Sequence, residues 1–310
     1  MHKGSSGGLK RIIITGAGGM IGSSLAELAL KNGLEVYAVV RPGKCMPFAS
    51  DNLHVIRHDL AELDSLSLDE RCDALFHLAW EKTTAEGRDD TDAQLNNIGY
   101  TLDAVRLAKR CGCGVFVGAG SQAEYGVLKS PIDADTPVNP QSGYGIAKYA
   151  AGKMSLLLCR QEGIRHCWAR ILSVYGERDR DSSLISYCVD SFLSNISPKL
   201  TDCRQMWDYI YCGDAAAALL AVGGKGKDGK SYCIGSGKCA PLADYVLKIQ
   251  ELTNSSASPD FGSRDYYSHQ QLCLCVDISE LTADTGFVPS VTFADGISKV
   301  IEHRRKKQLR

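Results

Sequence analysis

The stretch Arg11-Ile12-Ile13-Ile14-Thr15-Gly16-Ala17-Gly18-Gly19-Met20-Ile21-Gly22 decides how the rest of the chain is read. Three isoleucines and a threonine make residues 11–15 a β-branched run suited to a strand. A glycine-rich turn follows, and residues 20–31 then carry apolar side chains at helical spacing until Asn32-Gly33 stops them. Glycines at 16, 19 and 22 leave backbone that a pyrophosphate can approach. The amides of Met20, Ile21 and Gly22 at the helix start supply donors and partial positive charge. Three glycines alone can mean only a tight turn; the strand before and the helix after favour a dinucleotide.

The same rhythm continues outward. Residues 35–40, 53–57 and 74–78 read as further strands, each expected to be buried on both faces, which points to a parallel sheet. Residues 95–109 have helical periodicity, 114–118 are strand-like, 144–162 form a second long helix, and 166–171 return to the sheet. This alternation predicts an α/β fold, a Rossmann-type doubly wound parallel sheet covering residues 9–171. After residue 172 the rhythm changes, with a helix near 183–193, a strand at 208–211 and a helix at 214–222. Residues 172–205 and 225–303 are assigned to a smaller, interleaved C-terminal α/β substrate domain, with 206–224 packing back on the first. Residues 1–8, rich in Gly and Ser, are expected to be a flexible leader.

Charge and composition exclude several classes. The 35 basic and 36 acidic side chains give a formal net charge of -1, so no global field draws the protein to nucleic acid or anionic lipid. The basic run Arg304-Arg305-Lys306-Lys307 reads as a solvated helix end. The longest apolar runs are too short to span a membrane, and a cytoplasmic location is expected. Thirteen cysteines scattered through apolar stretches are expected to be reduced and mostly buried. Cys111-Gly112-Cys113 and Cys273-Leu274-Cys275 lack zinc-ligand spacing, so no metal site is expected.

The end of the second strand sets the cofactor. An acidic residue there holds the ribose diol of NAD, whereas this chain has Val39-Val40-Arg41. With a guanidinium and no carboxylate facing a 2′-phosphate, NADP is the preferred reading and NAD the alternative. Asp59, followed by Leu60 after the third strand, is a candidate acceptor for the adenine amine.

Tyr144-Gly145-Ile146-Ala147-Lys148 places a phenol and an ammonium four residues apart, on one face of a helix. A neighbouring cation stabilises the phenolate and lowers its pKa, which suits Tyr144 to proton exchange near neutral pH. Such pairs also arise by chance on a surface. Ser121, just beyond the strand at 114–118, adds a hydroxyl for a substrate oxygen, and residues 140–143 supply the turn into the helix.

With these motifs the chain resembles an extended short-chain dehydrogenase/reductase of the NAD-dependent epimerase/dehydratase family, which acts on nucleotide sugars. The resemblance runs from Thr15 to about Pro289. It includes His77-Leu78-Ala79, Asn97, Ser121 to Gly126, Arg170 to Gly176 and Asp208 to Asp214. It implies that Tyr144 is the general acid/base, that Lys148 tunes it and grips the nicotinamide ribose, and that Ser121 polarises the reacting oxygen. It further implies that Asn97 supports the surroundings of Lys148, and that Leu78 and Ala79 touch the cofactor. Trp80, Gln122, Ser173, Arg204 and Trp207 are candidates for the substrate. His77 is read instead as a strand-end histidine satisfied by backbone.

Family 4,6-dehydratases carry an Asp-Glu pair after the Ser/Thr; Gln122-Ala123 stands here, which disfavours dehydration. Trp207 replaces an arginine that often precedes the Asp-Tyr-Ile segment, with Arg204 three residues earlier as its substitute. The expected reaction is hydride transfer to or from a nucleotide-linked sugar, by a 4-ketoreductase or a 4-epimerase. Reduction of a non-nucleotide ketone or aldehyde, and a non-catalytic NADP sensor, are the alternatives. The resemblance also implies a homodimer through the helices that hold Asn97 and Tyr144.

Overall fold

A computed structural model describes residues 8–266 and 271–308. Of the leader expected at 1–8, residues 1–7 lie outside them.

The chain begins with β1 (Arg11–Thr15), α1 (Met20–Lys31), β2 (Glu35–Val40), β3 (Leu53–Arg57), β4 (Ala74–His77) and α2 (Thr91–Arg110). It continues through β5 (Val115–Ser121), α3 (Gly143–Glu162), β6 (Arg165–Ile171), β7 (Ser173–Tyr175), α4 (Leu184–Leu193) and β8 (Met206–Tyr211). The last elements are α5 (Cys212–Lys225), β9 (Lys230–Ile234), β10 (Cys239–Pro241), α6 (Leu242–Thr253), β11 (Cys273–Leu274), α7 (Ser279–Thr285) and α8 (Phe293–Gln308).

Seven strands pair in the order β3-β2-β1-β4-β5-β6-β9, every pair parallel. This is the doubly wound Rossmann arrangement. The order reverses between β1 and β4, and the glycine turn opens over that switch point. One face of the sheet packs Ile12, Ile14, Val36 and Phe76 against Leu25 and Ala26 of α1 and Ala215 and Leu219 of α5. The other packs Ile13, Leu75 and Phe116 against Ala104, Leu107 and Ala108 of α2 and Cys159 of α3. A smaller sheet, β10-β8-β11 with β7 also on β8, joins α4, α6 and α8 around Phe192, Tyr245, Ile249 and Val300.

Several expectations shift. β3 is a half-exposed edge strand, because one of its sides has no neighbouring strand. α2 starts at Thr91, four residues early, because Asp90 caps it by accepting from the Ala93 amide, and a polar first turn leaves no apolar period to read. β5 runs on to Ser121 despite its glycines, since Gly118 and Gly120 make room for the Trp168 indole on β6. The segment expected to pack back as a unit divides: α5 lies on the large sheet beside α1, whereas β8 is central to the small sheet. β9, placed by sequence in the second domain, closes the edge of the first sheet.

The basic end of the chain is not wholly solvated. Arg304 is buried and donates to Asp181 (2.5 Å), Asp190 (3.1 Å) and Ser186 (2.7 Å), tying α8 to α4. The expectation of reduced cysteines also needs correction, because Cys239 and Cys275 form a disulfide with Cα atoms 5.4 Å apart. The two strands flanking β8 bring together residues 36 apart in sequence, which spacing alone does not reveal. The other eleven cysteines are free, and only Cys45 among them is exposed.

Candidate active site

The β1–α1 turn fits a pyrophosphate. Gly16 has φ +70°, and a Cβ there would sit 2.7 Å from the Ala79 amide; a side chain at Gly22 would run into the Gly16 carbonyl. α1 begins at Gly19 with no side-chain cap and no acidic residue in its first turn. The amides of Met20, Ile21 and Gly22 therefore remain for an anion, aided by the helix dipole. These residues and Leu78 form one wall of a cavity of about 640 Å³, while Ala79 holds the turn from below. From the turn, the ends of β2 and β3 lead to the other expected cofactor contacts. Arg41 is exposed just past Val40, which pairs with Arg57. Asp59 caps a short 3-10 turn that begins at Leu60, so its carboxylate already accepts from the Ala61 amide.

The opposite wall carries Ser121, Gln122, Tyr144 and Lys148. Ser121 ends β5 and caps the next turn: its Oγ accepts from Ala123 while its own amide donates to Glu124 Oε1 (2.9 Å). Ser142 caps α3 and thereby aims Tyr144 and Lys148 at the cavity. The Ser121 hydroxyl is near enough to the Tyr144 phenol to favour its ionised form. Lys148 is 3% exposed, and its Nζ donates to the Ala119 carbonyl at 2.7 Å. It stands 3.6 Å from the centre of the Trp80 ring and 5.8 Å from that of Tyr144.

The electrostatics depart from the expected acidified phenol. Burial raises the Tyr144 pKa, and the Ser121 hydroxyl and the Arg88 and Arg180 charges only partly oppose it. Burial pushes Lys148 down to about 7, partly offset by Glu124. Helical spacing reveals that two groups are neighbours but not how dry their surroundings are, and here desolvation outweighs proximity.

Asn97 acts one layer back. Its side chain accepts from the Glu81 amide and donates to the Glu81 and Ala93 carbonyls, clamping the loop that follows β4. That loop carries Trp80, whose Nε1 donates to Gln94, so Asn97 reaches Lys148 only through Trp80. His77 is buried with its ring nitrogens facing the Thr15 and Thr101 hydroxyls, hence satisfied by side chains instead of backbone; burial and the Lys148 charge push it down to about 3.

Ser173 and Trp207 meet on the side formed by the small sheet, where Trp207 Nε1 donates to Ser173 Oγ at 2.8 Å. Arg204 is not in the cavity: its side chain is 84% exposed and lies 3.7 Å from Asp202. A position three residues before the motif points elsewhere once the chain enters β8. The cavity takes its arginines from places that the sequence reading missed, Arg88, Arg178 and Arg180. The charged tetrad Glu177-Arg178-Asp179-Arg180 directly after Val174-Tyr175-Gly176 was the available signal for two of them; the loop holding Arg88 has no periodicity to read. Glu124 was missed as well. It is fully buried and receives Arg170 Nε and Trp168 Nε1, each at 2.9 Å, beneath the Ser121 turn. Among the described residues no cluster of His, Cys, Asp or Glu could hold a metal ion, and no helix is long and apolar enough to cross a membrane.

Comparisons with known proteins agree with this architecture. The UDP-glucose 4-epimerase of Mycolicibacterium smegmatis is 26% identical over 317 aligned residues, which cover 96% of this chain and 99% of that one. The structure of the Thermotoga maritima UDP-glucose 4-epimerase with UDP-glucose superposes with a TM-score of 0.87 at 20% identity, covering 96% of this chain and 99% of that one. The UDP-N-acetylglucosamine 4-epimerase of Methanobrevibacter ruminantium, in complex with UDP-N-acetylmuramic acid, also gives 0.87, at 21% identity and with 97% and 100% covered. These two structures show a shared fold. The model of the NAD dependent epimerase/dehydratase family matches residues 12–235, from the first strand to just past the last strand of the large sheet, and the chain belongs to that family.

Proposed function

We propose that this chain transfers a hydride between a nicotinamide cofactor and carbon 4 of a nucleotide-linked sugar, as a 4-epimerase or a 4-ketoreductase. One observation carries the reading: Ser121, Tyr144 and Lys148 converge on one wall of a cavity whose other wall is the uncapped, glycine-lined start of α1. The names borne by its relatives favour a nucleotide sugar over a simple ketone. An intact catalytic set argues against a sensor.

When bound, the nicotinamide supplies or accepts the hydride. The α1 amides and Gly16 hold the pyrophosphate, and Lys148 lies within the cavity where it can reach the adjoining ribose. Tyr144, protonated in the resting site, gives its proton to a sugar keto oxygen as that oxygen gains charge; Ser121 shares the charge through its hydroxyl. In the reverse direction the phenol must first release its proton to solvent; the phenolate, stabilised by the Arg88 and Arg180 charges, then takes the alcohol proton as the hydride leaves carbon 4. Elimination of water lacks its acid and base, since Gln122 is neutral, Ala123 has no polar group and Glu124 is committed to Arg170.

NADP is our reading over NAD, supported by exposed Arg41 at the end of β2, Arg57 beside it and no carboxylate in that place. A homodimer is supported by exposed Leu95 on α2 and Ile146, Met154 and Leu157 on α3, an apolar surface on two helices that pack together. A cytoplasmic location is our reading, supported by the ten buried free cysteines, while the Cys239–Cys275 disulfide counts against it. The deciding experiment incubates the pure protein with UDP- and dTDP-linked hexoses and their 4-keto forms, following NAD(P)H absorbance and separating the products. A C4 epimer without net cofactor use indicates an epimerase; stoichiometric NADPH loss indicates a ketoreductase. Either outcome supports the proposal; the absence of both refutes it.

A further inference from the structure

We infer that the sugar accepted by this site carries a carboxylate on the carbon next to the reacting one, so that the substrate is a nucleoside diphosphate hexuronic acid or its 4-keto form. The inference rests on the reading of Tyr144 as the group that exchanges a proton at carbon 4.

Tyr144 marks where the reacting oxygen sits; one guanidinium lies against it and the charge of a second acts on it. Arg88 Cζ lies 5.0 Å from the centre of the Tyr144 ring, held by its Nε donating to the Thr83 carbonyl at 3.3 Å. The Arg88 loop is braced on α3: the Arg88 carbonyl accepts from the Tyr144 amide at 2.7 Å, and Asp89 Oδ1 accepts from the Gly143 amide at 2.7 Å. Arg180, exposed in the loop after β7, lines the same cavity and exerts its charge on the same phenol. The ion pairs nearby use Arg178 with Glu27 and Arg304 with Asp181; among the described residues none uses Arg88 or Arg180.

The position of these charges matters more than their number. In a hexose joined to a nucleotide, the diphosphate leaves from carbon 1, across the ring from carbon 4. Cations beside Tyr144 therefore face the substituents on carbons 3 and 5, a ring's width from the phosphates. Arg178 is the arginine placed for phosphate, since it lies against Ser23 and Glu27 of α1, on the side of the glycine turn. The one acid lining the cavity, Asp179, is half-buried, accepts from the Arg180 amide at 2.8 Å and feels the charges of both Arg180 and Arg304, so it offsets Arg180 only in part, and among the described residues no acid pairs with Arg88. A carboxylate at carbon 6 would meet Arg88 and Arg180 directly, and guanidinium forks suit that partner.

The test measures kcat/KM for UDP-glucuronate and UDP-glucose, with their dTDP counterparts, in the full-length protein and in Arg88→Gln, Arg180→Gln and Arg180→Lys. Preference for the acid by roughly tenfold or more, lost in both Gln variants and partly kept in Arg180→Lys, is expected from charge-to-charge recognition. Equal use of the neutral hexose, or an acid-to-neutral ratio that the variants leave constant, overturns the inference and leaves hydride transfer standing. Weaker binding of UDP alone by the Gln variants also overturns it, because the guanidiniums would then be gripping phosphate. If no sugar is turned over and none alters the redox state of bound cofactor, the proposed function itself fails.

Discussion

Replacing Glu124 with alanine should cost this protein several kcal/mol and disturb the reaction at the same time. Glu124 is fully buried and Arg170 is 4% exposed, so the change leaves a guanidinium in a dry place without its counter-charge. Breaking such a pair costs about 3–5 kcal/mol. The Trp168 indole and the Ser121 amide also lose their acceptor, and each buried unsatisfied donor costs about 1–3 kcal/mol. Because these terms share one site and do not add fully, a total of about 4–6 kcal/mol is expected, a large part of the stability of an ordinary domain. Urea unfolding followed by tryptophan fluorescence and by circular dichroism measures it. Glu124→Gln keeps an oxygen for Ser121 or Trp168 and should lose less, about 2–4 kcal/mol, because only the charge is missing. The Gln variant should also shift the acid limb of the pH–rate profile downward, since the Glu124 charge raises the Lys148 pKa. A loss under about 1 kcal/mol in Glu124→Ala would show that water or a local shift satisfies Arg170, and the reasoning would be wrong.

Further outcomes follow from the same geometry. Tyr144→Phe should lower kcat by about 10²–10⁴ while NAD(P)H binding, read by fluorescence, persists, because only the proton-exchanging hydroxyl is removed. Lys148 has a folded pKa of about 7, below its unfolded value, so over the interval between them the unfolded chain holds a proton that the folded chain lacks. Its contribution is therefore full at alkaline pH and declines as pH falls toward 7. Lys148→Met should flatten the rise in unfolding free energy between pH 7 and the alkaline range, and a slope identical to wild type would contradict the burial argument. Arg204→Ala should leave kcat/KM within about twofold, as expected for an exposed surface charge, and a larger loss would mean that this arginine swings into the cavity. The Cys239–Cys275 bridge should appear as a linked peptide pair in a non-reducing digest; closing its loop is worth about 3–4 kcal/mol on the chain-entropy account, measured by unfolding Cys239→Ser.

The first six strands of the large sheet and the glycine turn over them were legible in the sequence. The β-branched run before Gly16, the helical period after Gly19 and the four-residue step from Tyr144 to Lys148 are local signals, since each depends on backbone geometry within a few residues. Those residues stand where the local pattern puts them, with Ser121 beside Tyr144. Long-range packing settled which strands of the C-terminal half join which sheet, that Cys239 meets Cys275, and that Arg88, Arg178 and Arg180 rather than Arg204 line the cavity. It also reversed the expected sign for the phenol. Pairing across 36 residues, the entry of arginines from two separate loops and the dryness of a buried amine all depend on what the rest of the chain places nearby. No spacing along one segment encodes that.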